Sequence, residues 1–469
     1  MRHREGSALH TDYFDRYGDH VFYRDVNKDM PVIVRGEGVY LYDDRGKRYL
    51  DGCAGSQVAN IGHGVAEIAD AISEQARRVA FTHLSRFTTE PVMHLAQLVA
   101  ALAPADLERV YFVSGGSEAV EAAIKFVRTY FVERDGASTE KHRIIARWHG
   151  FHGNTLGALS ATGHIPRRRK YAPMLVDFPH IPACYCYRCH YGLTYPACGV
   201  ACAKALDEAL AQYGAENVAA FIAEPLVGAA SGAVPPVDEY WPMISEICTR
   251  NDVLLIADEV MTGFGRTGAD FAVDHWGVVP DVISCAKGMS AGYSPLGAII
   301  VREELHEVIR KGSGRFTHGH TYGGNPLSAA TGVAVLDYYR RHALKDNARR
   351  LGELMFTLME PLAASSIVGD IRGRGLFMGV ELVADKLARR PFPAEAAIGE
   401  QLTRKCMDHG LVVYPGSGHA DGKSGDHILV GPPLTISAAQ VHELVDSLAA
   451  GLRDLELELG LSELKTATS

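Results

Sequence analysis

The chain has 469 residues and a formal net charge of −9, with 47% hydrophobic and 22% charged residues. This composition is typical of a globular protein and excludes a disordered or fibrous one. The acidic balance argues against nucleic acid or an anionic membrane surface as a partner. No apolar run is long enough to span a membrane, and the first residues lack the apolar core of a secretory signal. We therefore expect a cytoplasmic protein whose nine cysteines are thiols.

The first elements along the chain are short strands. The apolar run 39–42 is followed by the turn signal Asp43-Asp-Arg-Gly and then by the run 48–50. This pattern predicts a hairpin, because turn residues separate two runs of high β-propensity.

From residue 66 onward, short apolar runs alternate with amphipathic stretches. Helical spacing covers 67–79 and 117–132, and the apolar runs lie at 109–113, 142–146, 218–223, 253–257 and 282–286. Enough chain separates successive runs for a crossover helix. This alternation predicts a mostly parallel sheet with helices on both faces.

The last third of the chain has a different pattern. It contains a helical stretch at 351–362, an alternating strand at 375–383, and a final helix that begins at a capping box of Ser437 and Gln440. The predicted fold class is therefore α/β. A large domain would cover 66–335, and both chain ends, 1–65 and 336–469, would form a smaller α+β domain.

In open α/β sheets, ligands bind beyond the carboxyl ends of the strands. Three predicted strands are followed by groups that could bind a ligand there. The turn 114–117 precedes a helix and offers an anion site, although serine capping alone explains it. Asp258 and Glu259 follow another strand, where a buried carboxylate needs a cation or donor, unless the pair is at the surface. Lys287 ends a third run, where desolvation would free its amine as a nucleophile, unless it reaches water. Sites for a phosphate, a ring cation and an aldehyde match the three handles of pyridoxal phosphate.

The stretch 263–268 matches the pattern GxGxxG. We reject a dinucleotide site there, because Asp258 and Glu259 precede it where a phosphate would clash. No helix-forming apolar stripe follows it directly either.

Seven stretches in chain order carry a family resemblance. They are FVSGGSEAVEAAIK (112–125), FHGNTLGALSATG (151–163), AEPLVGAASGAVPP (223–236), LLIADEVMTGFGRTG (254–268), AKGMSAGYSPLGAI (286–299), HTYGGNPLSA (320–329) and GDHILVGPPLTI (425–436). On these motifs the chain resembles the class III (omega-type) aminotransferases of the fold-type I pyridoxal-phosphate family. The resemblance implies a large domain with a mostly parallel, seven-stranded type of sheet. Ordered agreement of many motifs is far more specific than one motif.

The resemblance implies roles for individual residues. Lys287 would form the internal aldimine with pyridoxal phosphate and move the substrate proton, and Asp258 would pair with the pyridinium nitrogen. Further cofactor contacts would come from Gly116 and Ser117 at the phosphate, Phe151 and Val260 on the two ring faces, and His152, Glu224 and Thr321. Thr321 would reach the phosphate of the neighbouring subunit, so the resemblance implies a homodimer with shared sites. Whether dimers pair into tetramers stays open.

Substrate recognition departs from the family pattern. Many relatives carry a mobile arginine before the Gly-Asp motif, whereas here Tyr414 lies near its place and the glycine-rich stretch 416–425 follows. Lys423 in that stretch could replace the arginine, and a solvated loop lysine is the alternative.

Three polar residues, Gln57, Ser85 and Arg86, stand where amine-preferring relatives carry aromatics. We therefore expect a polar or acidic amino donor. Arg86 is the best candidate to bind an acidic group, since guanidinium grips a carboxylate through two hydrogen bonds. A salt bridge at a dimer interface would explain Arg86 equally well.

A second departure is a cysteine-rich loop. Cys186, Cys189, Cys198 and Cys202 form the frame C-x2-C, eight residues, C-x3-C, and Cys184 precedes it. Four thiolates could bind structural zinc. Reduced thiols or a redox pair are the favoured interpretation, so we expect no metal at the functional site.

The sequence thus predicts an enzyme that moves a terminal or distal amino group from a small-molecule donor to pyruvate, 2-oxoglutarate or another 2-oxo acid. An aminomutase, decarboxylase or racemase could use the same lysine and cofactor, and these stay as alternatives. A non-enzymatic scaffold built around the cysteine loop is a further alternative, which the intact lysine, aspartate and phosphate motifs oppose. The sequence does not identify the donor, the acceptor or the stereopreference.

Overall fold

The computed structural model describes residues 30–461, together with residues 20–27 and the isolated positions 13, 17 and 18. A seven-stranded sheet and two four-stranded sheets organise this part of the chain. None of its helices is long and apolar enough to cross a membrane.

The strands and helices follow one another along the whole described chain. The strands are β1 (Ile33–Glu37), β2 (Tyr40–Asp43), β3 (Arg48–Asp51), β4 (Leu107–Val113), β5 (Arg143–Arg147), β6 (His180–Ile181), β7 (Val218–Ala223), β8 (Leu254–Asp258), β9 (Val282–Cys285), β10 (Gly297–Arg302), β11 (Val368–Gly373), β12 (Met378–Leu382), β13 (Leu411–Val412), β14 (Tyr414–Ser417) and β15 (Asp426–Val430). The α-helices are Ala54–Gln57, Ala66–Arg78, Glu90–Leu102, Gly116–Asp135, Leu156–Ala161, Ile165–Arg168, Ala201–Tyr213, Tyr240–Arg250, Glu303–Lys311, Pro326–Arg341, Leu344–Met359, Ile398–Asp408 and Ala438–Glu458. Short 3-10 helices lie at Ala172–Met174, Cys186–Arg188, Ala215–Asn217, Ala272–Trp276, Lys287–Met289, Glu360–Ala364 and Ala394–Ala396.

The large sheet has the strand order β4-β10-β9-β8-β7-β5-β6. Only β10 runs antiparallel to its neighbours, so β4, β8 and β9 all point the same way. Strands β7 and β8 are buried along their whole length, as expected when both sheet faces are covered. The α/β class and the mostly parallel sheet are confirmed.

Two details of this sheet differ from the prediction. Strands β6 and β10 are additional strands, because periodicity alone does not identify such short runs as strands. The connection from β8 to β9 holds the 3-10 helix Ala272–Trp276 in place of a crossover α-helix. This turn contains buried Ala272 and Val273 and leaves the end of β8 beside the Lys287 turn.

The two smaller sheets use strands from both halves of the chain. One has the antiparallel order β11-β12-β15-β14, and the other joins β1, β2 and β3 to β13, which pairs in parallel with β3. The predicted hairpin of β2 and β3 is confirmed. The capping box is also confirmed, because Ser437 N–H donates to Gln440 Oε1 at 2.9 Å and Gln440 N–H to Ser437 Oγ at 3.3 Å. The domain boundaries at 65 and 335 stay a prediction.

The glycine-rich stretch 263–268 forms a turn that carries a buried arginine. Arg266 donates to the carbonyls of Leu376 (3.0 Å) and Pro432 (2.6 Å), and to Asn60 Oδ1 (2.6 Å). Burial lowers the pKa of Arg266 to about 9. The stretch therefore ties the large sheet to segments from both ends of the chain.

Candidate active site

Lys287 lies directly after β9, in a strained turn. Its backbone φ is +42°, in the left-handed region that costs an L-residue free energy. Burial lowers the pKa of its amine from the usual 10.5 to about 8, although the carboxylates of Glu224 and Asp258 raise it. No residue in the described part of the chain makes a hydrogen bond with Nζ. A desolvated and unengaged amine of this kind can act as a nucleophile near neutral pH.

Asp258 ends β8, the strand next to β9, and is 3% exposed. Its Oδ2 lies 2.6 Å from His152 Nδ1, and its Oδ1 accepts the backbone N–H of Val260 at 3.1 Å. A carboxylate only accepts, so Nδ1 of His152 carries the proton. Nε2 of His152 is buried and lacks a partner among the described residues.

Glu259 points to the opposite side of β8 from Asp258. It is fully buried and accepts from the hydroxyl of Thr262 and from the backbone N–H of Val273 (2.9 Å). Burial raises its pKa to about 7. Asp258 and Glu259 therefore have different surroundings, and of the two only Asp258 lies near Lys287.

Glu224 is a second buried carboxylate near Lys287. Its two oxygens accept the backbone N–H groups of Phe151 and Gly228, each at 2.9 Å. Burial raises its pKa, and the neighbouring His152 opposes that shift. Glu224 therefore fixes the backbone of the residue that was predicted to stack on the cofactor ring.

The predicted phosphate turn begins the helix Gly116–Asp135, directly after β4. Ser117 Oγ accepts the backbone N–H of Asn154 at 3.1 Å, which joins the turn to the 151–154 segment. A Cβ on Gly116 would lie 2.7 Å from Val260 Cγ1, so only glycine lets Val260 approach the helix start. Free N–H groups at such a start bind anions.

Lys287, Asp258, His152 and Glu224 lie close together and form the Lys287 cluster. This cluster and the phosphate turn together offer a group for the phosphate, the ring nitrogen and the aldehyde of pyridoxal phosphate. The helix start can hold the phosphate, Asp258 can hold a protonated ring nitrogen, and Lys287 can bind the aldehyde. Nε2 of His152, which is buried and unpartnered among the described residues, fits a bound polar group, since buried polar atoms normally have partners.

The predicted substrate residues lie in three different places. Gln57 is 1% exposed and both atoms of its amide lack partners among the residues described. It belongs to the segment that packs on the Lys287 turn, because a Cβ on Gly288 would lie 2.3 Å from Asn60 Nδ2. Tyr414 is half-buried on β14, against an apolar cluster that contains Met261.

Ser85 and Arg86 lie in an exposed turn. Ser85 Oγ contacts His83 Nδ1 at 2.7 Å, and no hydrogen bond or ion pair within residues 30–461 joins Ser85 or Arg86 to the Lys287 cluster. The turn packs on the loop of Thr321, because a Cβ on Gly324 would lie 2.8 Å from Leu84. Thr321 itself is exposed, and its neighbour His320 lies 3.5 Å from Glu118 in the phosphate-turn helix.

The cysteine-rich segment contacts the site through a buried arginine. Buried Arg147 donates to Cys184 Sγ at 3.0 Å and also to the backbone carbonyl of Glu224. Among the described residues, the only group of three potential ligands close enough to share a metal ion is Glu303, His306 and Glu307, and it contains no cysteine. Cys184 thus supports the site through Arg147, a link between distant segments that no sequence motif signals.

Two further site residues escaped the sequence analysis. Thr162 Oγ1 accepts the backbone N–H of His152 at 2.9 Å and so fixes the residue that contacts Asp258. The guanidinium of Arg167 lies over the ring of Phe151, 4.1 Å from its centroid. The run of three arginines at 167–169 was the available signal.

The lowered pKa of Lys287 predicts how the apoprotein should take up pyridoxal phosphate. Only the neutral amine attacks an aldehyde, so the attachment rate should rise about tenfold per pH unit below pH 8 and level off above it. Attachment can be followed by the change in cofactor absorbance. A rate that keeps rising to pH 10 would show that Lys287 has the pKa of an ordinary lysine.

Comparison with known proteins agrees with the geometry. The sequence profile of the family described as "Aminotransferase class-III" matches residues 23–452. An uncharacterized aminotransferase of Bacillus subtilis, YodT, is 38% identical over 436 residues, which cover 93% of this chain and 98% of that protein. The putrescine–pyruvate aminotransferase of Pseudomonas aeruginosa is 35% identical over 451 residues, 94% of each chain.

A solved structure has the same fold. The (S)-enantioselective omega-transaminase of Thermomicrobium roseum superposes with a TM-score of 0.86 at 37% identity, and covers 93% of this chain and 96% of its own. Family match, relatives and fold agree with the predicted fold type I architecture. The chain belongs to the class III aminotransferases, a family of pyridoxal-phosphate-dependent enzymes.

Proposed function

We propose that the enzyme transfers an amino group from a polar or acidic primary amine, such as an omega-amino acid, to pyruvate or another 2-oxo acid. Lys287 would be the residue that binds the cofactor aldehyde. The observation that carries the proposal is the desolvated amine of Lys287 beside the Asp258–His152 pair. The relative named putrescine–pyruvate aminotransferase supports a terminal amine as donor and pyruvate as acceptor.

Each residue of the cluster has a distinct task in this reaction. The cofactor, when bound, supplies an aldehyde that condenses with amines and a ring that accepts electrons. Lys287 Nζ, whose pKa is lowered to about 8, would take a proton from the substrate carbon and return it. Asp258 would hold a negative charge at the ring nitrogen, and the proton on His152 Nδ1 would orient that carboxylate. Glu224 would keep Phe151 in place through its backbone N–H.

A donor and acceptor screen tests the proposal. With a primary amine and no acceptor, the holoenzyme should release one carbonyl product per subunit and then stop. Addition of pyruvate should restart the reaction and yield alanine. Carbon dioxide release, or product formation that never needs an acceptor, would instead favour the decarboxylase, racemase or aminomutase alternatives.

We also propose a homodimer with shared sites. The Thr321 loop and the 83–87 turn carry exposed apolar side chains, including Phe87 (68% exposed) and Tyr322 (65%). Large exposed apolar groups that lie together typically mark a protein interface. A second copy of the chain that covered this surface would bring Thr321 to its partner's phosphate turn.

Mixed dimers test the shared site. Thr321→Ala and Ser117→Ala should each weaken cofactor retention, because each removes one hydroxyl that binds the phosphate. If the two residues serve the same site from different subunits, a mixed dimer has one intact and one doubly impaired site. Cofactor occupancy should then fit two unequal classes of site. A single class of intermediate affinity would contradict the proposal.

A further inference from the structure

Arg167 places a cation inside the cluster around Lys287. Its guanidinium stacks on Phe151 at 4.1 Å, and the backbone N–H of Phe151 is bound to Glu224. The positive charge of Arg167 also lowers the pKa of Lys287, so the two side chains are close enough to interact. Arg167 is half-buried and lies on the helix turn that follows the motif 151–163.

The guanidinium of Arg167 has no acceptor among the described residues. Neither a carboxylate nor a carbonyl of the described residues binds its side chain, although the adjacent arginines are engaged. Arg168 donates to the carbonyls of Leu159 (3.0 Å), Ser160 (2.7 Å) and Thr162 (2.6 Å), and Arg169 donates to the carbonyl of Gly422 (3.1 Å). A stacked guanidinium with free N–H donors in a fixed plane matches the two oxygens of a carboxylate.

The two carboxylates near Lys287 already have partners. Asp258 is bound to His152 and Val260, and the two oxygens of Glu224 accept two backbone N–H groups. Neither compensates the charge of Arg167 directly. An anionic substrate would therefore meet an uncompensated cation beside Lys287.

The glycine-rich stretch 416–425 holds the turn that carries Arg167. A Cβ on Gly418 would lie 2.4 Å from Pro166 Cγ, and a Cβ on Gly422 would lie 2.8 Å from Ile165 Cδ1. His164 Nε2 also lies 2.9 Å from the carbonyl of Ser417. Because these positions are glycines, the stretch 416–425 packs closely on this turn. The stretch and Arg167 therefore form one packed unit.

We propose that Arg167 binds the carboxylate of the substrates, and that it replaces the arginine whose usual place is taken by Tyr414. The assignment rests on the proposed transaminase function. The carboxylate can belong to an acidic donor or to the 2-oxo acid acceptor, since both would pass through the same site. The glycine-rich stretch positions the turn and does not itself bind the substrate.

Two donors that differ only in a distal carboxylate, 4-aminobutyrate and 1-aminobutane, test the assignment in separate half-reactions. Arg167→Ala should lower kcat/KM for 4-aminobutyrate or for pyruvate by about 10- to 100-fold, because a charged hydrogen-bonded contact is lost. 1-Aminobutane should change by less than about threefold. Arg167→Lys should recover part of the loss, since lysine restores the positive charge but not the paired N–H donors of the guanidinium. Lys170→Ala is the matched control, because Lys170 is an exposed cation at the end of the same turn, and it should leave the ratio between the two donors unchanged.

The two half-reactions identify the source of the carboxylate. A selective loss with 4-aminobutyrate assigns the donor, and a selective loss with pyruvate assigns the acceptor. An equal loss with 1-aminobutane would show that Arg167 only positions Phe151, and would overturn the proposal. A selective loss in Arg86→Ala with none in Arg167→Ala would overturn it too.

A binding measurement separates this proposal from the proposed function. Calorimetric titration of the holoenzyme with glutarate, which has no amine, needs no turnover. Arg167→Ala should weaken glutarate binding by about 10-fold or more, whether or not the enzyme transaminates the chosen donors. Unchanged glutarate affinity would refute the role of Arg167 even in an active transaminase.

Discussion

Lys287→Ala is expected to lower the transamination rate by about 10⁴-fold or more. The change removes the amine that we propose to bind the cofactor aldehyde and to move the substrate proton, and either function alone would contribute strongly. Steady-state kinetics with saturating cofactor measure the loss. The variant should remain folded and should be more stable as apoprotein at pH 7, because a buried amine with a lowered pKa destabilises the folded state when protonated.

Borohydride reduction of the holoenzyme provides the control. The cofactor should become fixed to Lys287 and not to Lys141, another lysine whose pKa burial lowers. Lys141 is already engaged, since its Nζ donates to the carbonyl of Ala215 at 3.0 Å. Peptide mapping that located the cofactor on any other lysine would refute the assignment.

Asp258→Asn is expected to slow the proton-removal half-reaction by about 10²- to 10⁴-fold. The substitution keeps the shape of the side chain but would leave the protonated ring nitrogen of the cofactor without the partner that we propose for it, a loss of about 3–5 kcal/mol. Rapid-mixing absorbance of a single turnover measures the step. His152 would also lose the carboxylate that lies 2.6 Å from its Nδ1.

Glu259→Gln is the matched control for Asp258→Asn. It neutralises the adjacent buried carboxylate, which faces Thr262 and Val273 on the other side of β8. The half-reaction should stay within about threefold of the wild type. Equal losses in both variants would show that Asp258 acts through the stability of β8 and not at the ring nitrogen.

The core of the site could be predicted because its residues end neighbouring elements of one sheet. Asp258 ends β8, Lys287 follows β9, and the turn before Ser117 follows β4. These strands are parallel, so their carboxyl ends lie along one edge and their side chains meet. The position of each motif at the end of a strand was therefore enough to predict that these residues lie close together.

The substrate side of the site could not be predicted in the same way. The contact of Gly418 with Pro166 joins segments more than 250 residues apart, and no local pattern records it. Arg86 was therefore the sequence-based candidate for an acidic group, whereas the structure stacks Arg167 on Phe151. The burial of Gln57 likewise depends on how residues 57–60 pack on the Lys287 turn.

A nitrogen label tests the central claim, that the Lys287 cluster moves an amino group from donor to acceptor. The holoenzyme is supplied with ¹⁵N-labelled 4-aminobutyrate and unlabelled pyruvate, and the alanine formed is examined by mass spectrometry. The account predicts that all the alanine carries ¹⁵N, with one equivalent of carbonyl product per alanine and none from Lys287→Ala. Carbonyl product or carbon dioxide without labelled alanine would contradict it.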